Sequence, residues 1–468
     1  MKFHLHFATL TIASTLLIGC STQSRIDEQA ITPDVPETWQ QINVQSQTDL
    51  EWLNQFNNKE LTDLIEQAIS LNRNLKQQAY TVAIQEQATT SSEADLWPTI
   101  DFGLSSSRRA SGEPTQYSNE NDLSLDVSYE LDVWGKLSDA AQQDHLTYLA
   151  SKATYQQSKN QLVADVITQY YELVSGQQLT QLFEKRVALA EENLDIIASG
   201  YKQGLNEALD VYLSRNELNA ERASLASQKA RVQQLSAALE QLIGQYPAGT
   251  LFANQSIPVM LDNIETGVPS AIIKNKPELQ ASWYQLMAQD AALAFAHKQR
   301  FPSIRLSGSY GSKDSEIENL LSSSTLGWSL LGSISAPIFN AGKLKSAEQQ
   351  QALRLKQQEQ IYLDSLYLAF AQVEQGITQE QSFKEQYHNN LAAQENALIA
   401  QNLAFEQYQS GLVSYTTVLD AQERAFNAQS NVITLKSQMI TNRINLYVAL
   451  GGDFSDKLIK PELSHETE

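Results

Sequence analysis

The sequence repeats itself at a distance of 207 residues. Gly135-Lys136 recurs as Gly342-Lys343, Tyr201-Lys202-Gln203-Gly204-Leu205 as Tyr408-Gln409-Ser410-Gly411-Leu412, and Leu242-Ile243-Gly244 as Ala449-Leu450-Gly451. An aromatic-Pro pair, Trp97-Pro98, recurs as Phe301-Pro302 at an offset of 204, so a small length change falls between the proline and the Gly-Lys. Four matches in one order are too many for coincidence. The period is far too long for a solenoid unit, so the chain is two copies of one large unit.

Both copies follow the same internal order. A helical stretch, residues 61–95 or 278–298, is stopped by the aromatic-Pro pair, because the residue before proline avoids the helical region. Two short alternating segments come next. A very long Gln- and Ala-rich helix follows, over 137–200 and 344–409, and a glycine turn breaks it. A second long helix covers 209–242 and 416–450. Residues 137–200 hold no Pro and one interior Gly, Gly176. They would span roughly 95 Å at 1.5 Å per residue, which is coiled-coil or helical-array length rather than globular. Phe183, Val187, Ala190, Leu194, Ile197 and Tyr201 step by three and four, while Leu391, Leu398, Phe405 and Leu412 step by seven. Such spacing keeps one seam against a partner helix. The helices alone would suit a soluble coiled-coil scaffold equally well.

The alternating segments separate the two readings. Leu123, Leu125, Val127, Tyr129, Leu131 and Val133 interleave with Ser124, Asp126, Ser128, Glu130 and Asp132, a period of two that marks a strand. Ile100, Phe102 and Leu104 alternate with Asp101, Gly103 and Ser105. In the second copy Ile304, Leu306 and Tyr310 oppose Arg305, Ser307 and Ser309, and Leu326, Trp328, Leu330, Ile334 and Ile338 oppose Ser329, Ser333 and Ser335. Each segment approaches the ~9–11 residues of a tilted membrane strand. Residues 108–122 and 311–325 read as polar loops at an exposed mouth. A half-buried hairpin on a soluble sheet is the bland reading. Acids on one face suit a wet lumen better. Four strands cannot close a membrane barrel, which needs about eight or more, and an open edge in lipid leaves backbone groups unpaired. Copies must therefore share one barrel. Two chains would give eight strands, largely filled by side chains; a trimer gives twelve and leaves a channel.

The amino terminus reads as a separate unit. Lys2 precedes an uncharged apolar run, residues 7–19, too short to span a bilayer and suited to a signal peptide over 1–19. The run ends Leu17-Ile18-Gly19-Cys20, which looks like a bacterial lipobox, with Cys20 as the lipidated residue and Ser21 directing it to the outer membrane. Cys20 is the sole cysteine, so the chain has no internal disulfide framework. Of 87 charged side chains 33 are basic and 54 acidic, for a net charge of -21, or -21 - 1 = -22 once Lys2 is removed. That balance argues against a nucleic-acid partner.

The lipobox, the paired strands and the repeated Tyr-x-x-Gly-Leu turns resemble the TolC-like outer-membrane efflux channels, in the lipoprotein branch that includes OprM and CusC. The segments Gly411-Leu412-Val413-Ser414-Tyr415-Thr416-Thr417-Val418-Leu419-Asp420-Ala421-Gln422 and Leu446-Tyr447-Val448-Ala449-Leu450-Gly451-Gly452 carry the likeness as well. The resemblance implies a mixed α and β outer-membrane efflux protein fold. Four transmembrane strands and long coiled-coil-like helices per chain would build a homotrimer with a 12-stranded β-barrel and a periplasmic α-helical barrel. It implies outer-membrane lipid around the strands, a periplasmic adaptor (membrane fusion) protein and an inner-membrane pump of RND type as partners, and no cofactor. The expected divisions are 20–57 as a lipidated and equatorial segment, 58–246 as the first repeat, 247–277 as an equatorial linker, 278–452 as the second repeat, and 453–468 as a tail. Further, the resemblance puts Asp420 in an acidic ring at the periplasmic tip, and Asp210 at the equivalent turn of the first copy in a network that holds the tip shut. Some relatives supply an Arg partner from the second-copy turn; Leu412-Val413-Ser414-Tyr415 has none, which leaves Tyr408 as the hydrogen-bonding candidate. Thr416 occupies a position that is apolar in the OprM-like branch. Gly204, Leu205, Gly411 and Leu412 form the tip turns where an adaptor would dock.

Catalytic chemistry has no foothold. His145, His297, His388 and His465 are scattered, and neither a His-Glu-x-x-His nor a Gly-x-Ser-x-Gly pattern occurs. Lys136 and Lys343 lack a phosphate-loop context. Four methionines, Met1 included, give no copper-handling track. The rival reading is a periplasmic coiled-coil adaptor or scaffold lipoprotein, but the Gly-rich lipoyl-like segments of adaptors are missing.

Overall fold

The computed structural model describes residues 26, 35–36, 38–40, 58–259, 261, 266 and 268–452. Cys20, the signal segment 1–19, most of 20–57 and the tail 453–468 lie outside the described residues. The repeat is visible element by element. The first copy runs α1 (Lys59–Leu71), α2 (Arg73–Ala94), β1 (Thr99–Ser111), β2 (Gln116–Leu131), α3 (Lys136–Lys202) and α4 (Ala208–Leu242). The second runs α5 (Pro269–Asn275), α6 (Pro277–Lys298), β3 (Ser303–Asp314), β4 (Leu326–Ser335), α7 (Lys343–Gln409) and α8 (Tyr415–Ala449). α3 and α7 each have 67 residues, and α4 and α8 each have 35.

The helix expected over 61–95 is two helices, broken at Asn72. That residue caps α2 by accepting the Leu75 amide at 3.0 Å, and its side-chain amide donates to the Leu242 carbonyl at 2.9 Å. The strands also differ from expectation. Residues expected to be loop continue the ladder: Arg108 pairs with Asn119 and Ser111 with Gln116. Polar side chains do not end a strand, since the ladder uses only backbone groups. Residues 311–325 likewise hold the end of β3 and a short 3-10 turn, Ile317–Leu321. β4 stops before Ile338, because Pro337 has no N–H to give. Asp132 is not on the polar strand face: it lies past β2 and caps α3, accepting from the Leu137 and Ser138 amides at 2.9 Å each.

The chain divides into two compact units. One comprises Tyr80–Lys152 and Ala281–Asp364. Among the described residues it contains one antiparallel sheet in the order β1-β2-β3-β4, so β2 of one repeat pairs with β3 of the other. The register lines up rows of like chemistry. Phe102, Leu125, Tyr310 and Trp328 are neighbours across the four strands, as are Ile100, Val127, Gly308 and Leu330. The adjacent polar row is Asp101, Asp126, Ser309 and Ser329. Leu331 breaks the rule by sitting in a serine row beside Ser307. The apolar face is uncovered, with Trp328 80% and Phe102 72% exposed. Below the sheet Lys298 pairs with Asp139 at 2.6 Å, and Glu348 takes both His297 at 2.8 Å and Arg300 at 2.7 Å.

The other unit comprises Asp34–Ala79, Ala153–Gln280 and Ser365–Glu468. Its core is the middle of α3, with Val163, Val166, Ile167, Tyr170, Leu173 and Val174 buried against Leu61, Ile65, Leu239, Ile243, Ile440 and Ile444. Asn58 caps α1 by accepting the Leu61 amide at 3.1 Å, and Tyr170 donates to Glu60 at 2.9 Å. A second cluster joins Trp39, Ile272 and Leu279 to Leu366, Val373 and Leu446. No helix among the described residues is long and apolar enough to cross a membrane.

Candidate functional site

The long helices end in two matching turns. Gly204 and Gly411 take φ of 78° and 71°, a backbone that side chains disfavour, with open space around both. The hydrogen bonds match also: Leu205 donates to the Gly200 carbonyl and Leu412 to that of Gln407, each at 2.9 Å. This closure satisfies the last carbonyls of each helix. It leaves Leu205 and Leu412 about three-quarters exposed, at 76% and 74%.

Behind the turns a small apolar cluster of Ile197, Val211, Tyr415 and Val418 joins both repeats, with Leu194, Phe405 and Leu419 around it. Tyr408, in the last turn of α7, donates its hydroxyl to Asp210 Oδ2 at 2.9 Å, and its ring lies 5.4 Å from that of Tyr415. Burial pushes the Tyr408 phenol up from its ordinary value, and the Asp210 carboxylate adds to that, so the group stays a donor at any physiological pH. The bond runs between residues 198 apart and ties the second repeat to the first turn of α4.

The remaining residues singled out in the sequence stand elsewhere. Thr416 is exposed and shares a hydrogen bond with Ser414 at 2.6 Å. Asp420 is exposed one turn further along α8, on the face that also carries Thr416. Three features of the tips went unread in the sequence. Asn206 donates to the Ile197 carbonyl at 3.1 Å and ties down the first turn only. Arg186 of α3 pairs with Glu217 and Glu221 of α4. Phe426 of α8 packs on Arg186. The step of four, three and four from Asp210 through Ser214 and Glu217 to Glu221 was the available signal. Among the described residues no group of three or more His, Cys, Asp or Glu is placed to hold a metal.

Chains that combine an uncovered four-stranded sheet with long paired helices have known relatives. Residues 64–245 and 268–452 match the outer membrane efflux protein family, one match per repeat. The solvent efflux pump outer membrane protein SrpC of Pseudomonas putida is 30% identical over 407 residues, 86% of this chain and 87% of the relative. The probable outer membrane lipoprotein SilC of Salmonella typhimurium is 28% identical over 416 residues, 87% and 89% of the two chains. The CmeC outer membrane channel of Campylobacter jejuni superposes with a TM-score of 0.83 at 21% identity over 94% of each chain, which shows the same fold. The chain belongs to the outer membrane efflux protein family. It is an outer-membrane channel component of a multipart efflux pump, not an enzyme.

Proposed function

We propose that three copies of the chain form one passive exit duct, closed at its periplasmic tip until an adaptor engages the turns. The carrying observation is a four-stranded sheet with an uncovered apolar face and two unpaired edges, β1 and β4. Lipid can cover the face, but only another strand can satisfy the edges. Joining β4 of one copy to β1 of the next gives twelve strands from three chains, with the Asp101–Asp126 rows turned inward. The partners are a periplasmic adaptor and an inner-membrane pump of RND type. SrpC is named for solvents, which supports small organic molecules as the cargo.

At the tip, Asp210 and Tyr408 bind the two helical hairpins together, and three Asp420 carboxylates around the axis form a cation-holding constriction with Thr416 beside it. Leu205 and Leu412 offer the apolar docking points. In planar bilayers Asp420→Ala should raise single-channel conductance and weaken block by trivalent cations; unchanged conductance and block would sink the gate. We assign the anchor to Cys20. Cys20→Ser should lose incorporation of labelled palmitate, and retained label would refute the anchor.

A further inference from the structure

A second charged cluster lies further up the helices, where the turns have no need of it. Asp210, Ser214, Glu217 and Glu221 share one face of α4. Glu221 is only 4% exposed. Arg186 of α3 meets both acids, with Nε 2.5 Å from Glu221 Oε1 and Nη2 3.2 Å from Glu217 Oε1. The same guanidinium lies 4.3 Å from the centre of the Phe426 ring on α8. Phe183 of α3 meets that ring edge to face at 4.8 Å. Three helices, one from the other repeat, thus converge on one cation.

We propose that Arg186, Glu217, Glu221 and Phe426 form a second latch, which holds α8 to α3 and α4 about 16 Å along α4 from Asp210 and tightens in acid. It rests on the reading of the tips as a gate. Two ionised carboxylates on one guanidinium leave a net negative charge beside the buried Glu221; a proton on Glu221 removes it. Arg186 comes from α3 and Glu217 from α4 itself. α8 brings the Phe426 ring and, next to Glu217, the Tyr415 phenol, which burial pushes up and keeps neutral. Burial first, and then Glu217, push the Glu221 carboxyl up from 4.5 to about 7, against the pull of Arg186. If opening returns Glu221 to water, the closed form binds the proton more tightly. Closure is then favoured in acid, weakens as pH rises from about 4.5 to about 7, and changes little above that.

The test is open probability of the full chain in planar bilayers from pH 5 to 9. Wild type should open more as pH rises towards neutrality. Glu221→Gln, isosteric and unable to ionise, should stay closed across the range with a flat profile. Arg186→Gln should be several-fold more open than wild type at every pH above neutrality. Asp210→Ala should open the tip yet keep the pH rise. If Glu221→Gln follows the wild-type profile while Asp210→Ala opens, the latch is wrong and the gate stands. If Asp210→Ala stays closed as well, the gate reading fails and the latch falls with it. Glu221→Gln decides the matter even if Arg186→Gln does not fold, and gel filtration against wild type reports folding for each variant.

Discussion

α4 and α8 have the same 35-residue length and the same place in their repeats, yet they bury different chemistry. Five of the eight buried residues of α4 are polar: Ser214, Glu221, Gln228, Ser236 and Glu240. On α8 thirteen residues are buried, and apart from two tyrosines only Ser437 and Arg443 are polar. α4 is tied down by directed bonds, with Gln228 donating to the Gly176 carbonyl at 2.9 Å and Ser236 to that of Leu251 at 3.0 Å. α8 is held mainly by apolar contact with Val373, Ile167 and their neighbours, which has no preferred direction, and Asn442 and Arg443 add directed bonds to Gly376 and Glu380. Directed bonds fix one register, whereas an apolar seam tolerates small displacements. The helix with the more apolar seam is the one that carries Asp420.

The contrast can be broken in three places. The largest effect belongs to Arg443, one of the few polar anchors of α8, which is paired with Glu380; both are buried. Arg443→Leu leaves the Glu380 carboxylate with Asn442 at 3.3 Å and Lys384 at 3.9 Å but without its guanidinium, and should cost about 3 kcal/mol. A melting temperature followed by helical circular dichroism that stays near wild type would show that α8 needs no such anchor. Next is Glu240 of α4, which accepts from the amides of Gly249, Thr250 and Leu251 at 2.7, 2.8 and 2.9 Å. Burial opposes its charge, but those amides win and hold the carboxyl below its usual 4.5. The stability it gives is present above about 4.5 and is lost as pH falls through the lower folded value. Glu240→Gln should cost about 1.5–3 kcal/mol at neutral pH and flatten the acid limb of denaturant stability. An acid limb as steep as wild type would contradict the assignment. The smallest effect is Arg222→Ala. Its partner Glu191 is 2.7 Å away, but both are about half exposed, so the change should stay within about 0.5 kcal/mol. A loss as large as that of Glu240→Gln would mean that the outer face of α4 matters as much as its buried one.

The architecture was legible because it rests on period. Alternation marked all four strands, and glycines at a fixed offset marked both turns. Strand ends were misread where Arg108 and Asn119 looked like loop, since a ladder ignores side-chain polarity. The break at Asn72 was missed because neither Gly nor Pro marks it; a side-chain amide does the work. The Tyr408 to Asp210 bond was approachable through the repeat, which aligns the two turns. Arg186 was not. On a long polar helix an arginine reads as solvated charge, and only packing brings Glu221 and Phe426 to it.

The pairing of β2 with β3 also sets a timetable. The β1–β2 hairpin joins neighbours in sequence, but Asn121 meets Asp314 across 193 residues. Ordering so long a loop delays the sheet, since closure must precede the contacts that reward it. Until the second hairpin emerges, β2 presents a bare edge, the kind of surface that seeds aggregation. The half-made sheet therefore waits on α3, α4, the linker and α6 before β3 can cover that edge.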